Sequence, residues 1–146
     1  MADAPPPSPQ VILDELAAEF ELLGDWEERY RHIIDLGRSL SALADAETTD
    51  ANKVVGCASQ VWIVTELATN GRLIIRGDSD AHIVRGLIAL MLKLYSGQTP
   101  SDILGLDPQA AFARLGLASA LSSQRANGLR SMFERIRKDA NQALGT

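Results

Sequence analysis

The chain has 146 residues, 46% of them hydrophobic, and a formal net charge of −5, which is enough material for one core and too little to expect two. An acidic pI near 5.0 argues against nucleic acid as the principal partner, because phosphate binding needs a basic face that dominates the local field. No run approaches the ~18 uninterrupted apolar residues of a membrane span, and no positive region precedes an apolar run, so neither anchor nor secretion signal is expected and a cytoplasmic setting fits.

The first ten residues hold four prolines and no periodic apolar pattern, which predicts an extended or disordered tail before one domain over residues 11–146. Ile12, Leu16, Phe20 and Leu23 then recur at helical spacing before Gly24. Trp26, Tyr30, Ile33, Gly37 and Leu40 do so again after an Asp25 cap, giving two amphipathic helices. Their aromatic stripe reads as core, and His32 reads as surface. Residues 45–53 form a polar loop.

Beyond it the period shortens to two. Val61, Ile63, Thr65 and Leu67 alternate with Trp62, Val64 and Glu66, and Leu73 and Ile75 with Arg72, Ile74 and Arg76, predicting two strands joined at Asn70-Gly71. A three-residue loop with Gly71 left-handed sets Leu67 opposite Leu73 and keeps the apolar faces together, whereas a two-residue loop mixes them. Val54 and Val55 are candidates for a short third strand. Gly77-Asp78-Ser79-Asp80 should stop the sheet and cap a helix. In that helix Ile83, Leu87, Leu90 and Leu94 lie beside a second stripe of Val84, Ile88, Met91 and Tyr95, a surface wide enough for a nearly buried central helix.

Short helices are expected from Thr99-Pro100 and from Pro108 to Leu115, the latter closed by Gly116. The last helix, about Ser123 to Ala143, buries Leu129, Met132, Phe133 and Ile136. Arg125, Arg130, Arg135, Arg137 and Lys138 on its outer side, set against Glu134 and Asp139, make either a solvated face or a docking surface.

The single cysteine, Cys57, stands where a loop hands over to a strand. One thiol builds neither a structural zinc site, which takes about four protein ligands, nor an internal disulfide. It is therefore a small buried filler or a group that reacts with something outside. Gly56 permits a tight backbone, Ala58 and Ser59 are small, and loops held by a rigid sheet commonly carry reactive groups. Val54, Val55 and Val61 flank the thiol and could shield it. Lys53 is the only charge close in sequence.

The segment Gly56-Cys57-Ala58-Ser59-Gln60-Val61-Trp62 resembles the Gly-Cys-x-Ser-x-Val-Trp motif of the SufE family of sulfur acceptors. Three further blocks resemble the family in the same order. They are Gly77-Asp78-Ser79-Asp80-Ala81-x-Ile83-Val84-x-Gly86-Leu87, Tyr95-Ser96-Gly97-x-Thr99-Pro100 and Arg125-x-Asn127-Gly128-Leu129. The likeness covers about Val11 to Ala143. One departure precedes the last helix, where the family commonly has His-Leu-Ser/Thr-Pro-Ser/Thr-Arg and this chain has Ala120-Leu121-Ser122-Ser123-Gln124-Arg125.

The resemblance implies an α+β fold shared with IscU-type scaffolds, a small antiparallel sheet of about three strands covered by helices. It implies that Cys57 accepts persulfide sulfur from a pyridoxal-phosphate cysteine desulfurase of the SufS kind, or its CsdA-type paralogue, and delivers it to the SufBCD scaffold for iron–sulfur cluster assembly. The pyridoxal phosphate belongs to the partner, so no cofactor or metal is expected in this chain. Gly56, Ser59, Gln60 and Trp62 are expected to support the loop, Trp62 mainly by packing. Asp80 is either a helix cap or a positioning group, and Arg125, a cation at a helix start, contacts a partner or a carbonyl. A thiol enzyme would instead need a base beside Cys57, and His32 and His82 show no dyad spacing. A purely structural adaptor would tolerate loss of the thiol.

Overall fold

The computed structural model describes residues 7–57, 59–117 and 121–145; most of the expected tail, together with Ala58 and Ala120, lies outside the described residues. Among them are six α-helices and one two-stranded antiparallel sheet, the expected α+β class. The helices are α1 (Pro9–Leu22), α2 (Trp26–Arg38), α3 (His82–Tyr95), α4 (Pro100–Gly105), α5 (Pro108–Leu115) and α6 (Ser123–Ala143), and the strands are β1 (Val61–Leu67) and β2 (Leu73–Ser79).

A first helix is expected just after Pro9, and α1 starts at Pro9 itself. Pro9 occupies the first turn, where no amide is needed, and Ser8 Oγ accepts from Val11 N as the cap. Pro7 is also tied in, its carbonyl accepting from Gln98 Nε2 at 2.6 Å. Asp25 caps α2 through Glu28 N at 2.9 Å. His32 is only half-exposed, packed edge-on to Phe20 of α1 at 6.0 Å.

The hairpin has the expected register, Leu67 opposite Leu73. Ala68 N donates to Arg72 O at 2.8 Å, which leaves Thr69, Asn70 and Gly71 as the loop, and Gly71 takes φ +82°. Val61 and Ile63 are fully buried, and Leu73 and Ile75 nearly so. The proposed third strand is only a single bridge, Lys53 to Trp62. The chain turns into the bridge at Asp50–Lys53, where Lys53 N donates to Asp50 O, and turns out again at Gly56 with φ +100°, so no extended run can form. Strand β2 continues through Gly77 and Asp78 to Ser79 instead of stopping before them.

Helix α3 lies across the sheet with ten of its fourteen residues buried. Its tightest neighbour is α2, whose backbone it touches. A Cβ built on Gly86 would lie 2.1 Å from Ile33 O, and one on Gly37 would lie 2.6 Å from Gly86 N. Helix α5 ends at Gly116 in the left-handed conformation, as expected. Helix α6 closes the far side on Leu129, Met132, Phe133 and Ile136. Its cations are not all outward. Arg135 Nε pairs with Asp139 at 3.0 Å, and Arg137 Nη1 donates to the carbonyls of Leu104 and Leu106, so those two serve packing and leave Arg125, Arg130 and Lys138 for the surface reading.

Candidate functional site

Cys57 lies on a short connection tied down at both ends. Ahead of it, Val54 N donates to Val61 O and Ile63 N to Asn52 O, both at 2.8 Å, and the Val54 side chain is buried. Behind it, Asp80 Oδ1 accepts from Gln60 N at 3.0 Å, while Asp80 N donates to Gln60 O at 3.3 Å. Asp80 therefore positions the loop and does not cap the helix. Strand β2 extends to Ser79, and Ala81 takes the cap position of α3 without a side-chain bond. Asp78 also faces inward. Its carboxylate accepts from Ser79 N at 2.8 Å and Leu43 N at 3.4 Å and lies 2.9 Å from Arg85 Nε, an ion pair whose angle is not that of a hydrogen bond. Arg85 in turn holds Leu40 O at 2.8 Å.

Between the anchors, Gly56 is required twice. Its φ of +100° is a conformation L side chains rarely adopt, and a Cβ there would come within 2.6 Å of Ser131 Oγ on α6. The turn it makes lays Cys57 on α6, where Sγ donates to Gly128 O at 3.4 Å. A Cβ on Gly128 would sit 3.5 Å from that sulfur and 3.7 Å from Cys57 Cα and Cβ, so the space between loop and helix is about one methyl wide there. Val55 does not shield the thiol. The same turn leaves it 88% exposed.

Beside the half-buried thiol is a cavity of about 260 Å³. Val61, Val84, Leu87, Leu129 and Met132 form its apolar wall, and Ser59, Ser122, Gln124 and Arg125 are its polar lining. Ser122 caps α6 by accepting from Arg125 N at 3.2 Å, which fixes the start of the helix against the opening. No described residue engages the Arg125 guanidinium in a hydrogen bond or ion pair. Gln60 contributes its backbone and Trp62 its strand pairing; neither lines the cavity. His32 and His82 do not line it either, so no imidazole is available there as a base. Among the described residues no group of His, Cys, Asp and Glu is placed to hold a metal ion.

Gly128, Ser122 and Gln124 were not singled out by sequence reasoning as parts of the site. The available signal was Gly128 itself, since glycine inside a helix costs about 0.5–1 kcal/mol relative to alanine and calls for a packing reason.

Burial pushes the Cys57 thiol above its ordinary pKa, because desolvation disfavours the thiolate. As pH rises the unfolded chain ionises first, so this contribution to stability is present below the ordinary thiol value and lost above it. Alkylation of the free protein by iodoacetamide should accordingly keep accelerating with pH beyond about 8.5, the usual thiol midpoint. A plateau at or below that pH would contradict the desolvated setting. Asp80→Ala removes the acceptor for Gln60 N and should speed alkylation about 10-fold, the worth of a hydrogen bond to a charged group. Asp80→Asn, which keeps an acceptor oxygen, should fall between; equal rates in all three proteins would deny the anchor.

A family model described as the Fe-S metabolism associated domain, SufE, matches residues 14–140. The chain belongs to the SufE family. An uncharacterized SufE-like protein of Rhizobium etli is 52% identical over 131 residues, covering 88% of each chain. Another, of Rhizobium meliloti, is 47% identical over 135 residues, covering 90% of this chain and 96% of its own. The solution structure of a hypothetical protein from Thermus thermophilus superposes with a TM-score of 0.77 at 17% identity, over 92% of this chain and 97% of that one, and so shares the fold. The anchored loop, the cavity and the start of α6 all fall inside the matched SufE region, which associates the chain with iron–sulfur metabolism. Among the described residues no helix is long and apolar enough to cross a membrane.

Proposed function

We propose that this SufE-family protein accepts sulfane sulfur on Cys57 from a SufS-type cysteine desulfurase, stimulates that enzyme by unloading it, and passes the sulfur to the SufBCD scaffold in the cytoplasm. It has no turnover of its own, and the pyridoxal phosphate resides in the desulfurase. In the transfer, Cys57 loses its proton to solvent and its thiolate attacks the outer sulfur of the donor's Cys-S-SH. A new S–S bond forms on Cys57, the donor's S–S bond breaks, and the donor cysteine leaves as thiolate. No net oxidation occurs.

The observation that carries this reading is the setting of the chain's only thiol. It rests beside a cavity with room for added atoms and has no second cysteine that could attack a persulfide and release sulfide. The setting also lacks the base and orienting group that a thiol hydrolase needs. Incubation with a cysteine desulfurase and cysteine should add one sulfur atom to Cys57 by intact mass; no gain, with an active desulfurase, would refute the proposal.

Arg125 lines the cavity with its guanidinium unengaged by any described residue, which suits contact with a partner. Arg125→Ala should weaken desulfurase binding by about 1–3 kcal/mol, as loss of a charged hydrogen-bonding group often does, with little change in melting temperature. Unchanged affinity with a lowered melting point would assign it to the fold instead.

A further inference from the structure

Carbonyls in the middle of a helix normally spend one lone pair on the amide four residues ahead and keep the other pointed at their surroundings. At Gly128 that second lone pair faces Cys57 Sγ at 3.4 Å. A Cβ on Gly128 would just fit between loop and helix, at 3.5 Å from Sγ, and Gly56 meets the same helix one turn on, at Ser131.

We propose that the Gly128 carbonyl is a latch that reads whether the Cys57 sulfur carries a proton, so that the loop docks on α6 as the free thiol and loosens once the sulfur is substituted. This rests on the sulfur-acceptor reading and adds what distinguishes the empty carrier from the loaded one. When Cys57 takes up a sulfur atom, Sγ becomes the inner sulfur of a disulfide-like pair and has no hydrogen. The carbonyl then faces a lone pair in place of a donor, at the same distance. Size does not make the distinction, because the 260 Å³ space beside the thiol accommodates another atom. A thiol is a weak donor, which suits a catch that must release, while the stronger bonds at Val54 and Gln60 hold the ends of the loop in both states.

The test needs no partner protein. Backbone ¹⁵N relaxation is measured at residues 55–57, 59 and 60 in the native protein, in Cys57→Ser, in Cys57→Ala, and in native protein methylthiolated with methyl methanethiosulfonate. That reagent places CH₃S on Sγ and releases methanesulfinate. Serine keeps a donor and alanine does not, although both are smaller than cysteine. The native protein and the serine variant should show order parameters near about 0.85, and the alanine variant and the methylthio adduct should fall below about 0.6, with α3 amides unchanged in all four as the folding control. A serine variant as loose as alanine, or four equally rigid loops, would overturn the latch. Because desulfurase is absent, failure of sulfur to load on Cys57 would sink the carrier reading without altering this pattern, and a flat pattern would sink the latch with loading intact.

Discussion

Cys57→Ser is expected to reduce stimulation of a cysteine desulfurase to background while the protein stays folded. The sulfur is half-buried, one weak hydrogen bond to Gly128 holds it, and serine keeps a donor in its place, so the cost in stability should stay within about 1 kcal/mol. The loss of function is complete because a hydroxyl is too weak a nucleophile to take up sulfane sulfur, and no other thiol exists in the chain. Far-ultraviolet dichroism with a desulfurase turnover assay measures both halves. Full stimulation by the variant would reduce the protein to an adaptor.

Gly86→Ala should be the most destabilising single methyl added to this fold. A Cβ at that position meets Ile33 O at 2.1 Å and Ile33 Cγ2 at 2.6 Å, and the carbonyl belongs to the α2 backbone, which cannot rotate aside. Alanine gains a little in helix propensity, but prying α2 from α3 costs about 3 kcal/mol as overpacking, or roughly 10 °C in melting temperature for a chain of this length. Gly105→Ala is the control. Nothing lies within 4 Å of its added methyl, and its melting curve should overlay the native one. A Gly86→Ala protein as stable as that control would mean the two helices part freely.

Much of this architecture was legible in the periodicities. The double stripe of the central helix, the Pro and Gly punctuation of α4 and α5, and the choice of hairpin loop all came from local rules that the tertiary structure does not override. The errors have one cause. Asp80 looked like a cap because acids precede helices, yet β2 runs three residues further than expected, through Gly77 and Asp78 to Ser79, and the carboxylate reaches instead to Gln60, twenty positions earlier. Val55 looked like a shield because it is apolar, and the turn at Gly56 leaves it in water. Arg135 and Arg137 looked external because they are charged, yet they meet groups on β1 and α4 respectively. Each depends on a contact between distant segments, which spacing along the chain does not encode. Cys57 itself was conspicuous as a lone thiol in a motif, but the helix beneath it was not.

The two anchors of the loop also set a limit on reach. Cys57 is three residues from Val54 and three from Gln60, so even a fully straightened tether carries its backbone no more than about 10 Å from either post. That is about one helix diameter. A donor sulfur held deeper than this below another protein's surface stays out of range unless that protein offers an open channel for the loop to enter, or brings the sulfur outward on a mobile arm of its own. For the proposed transfer the tether therefore sets a geometric demand: the donor sulfur has to be presented within that reach of the two posts, through a channel or on an arm of its own.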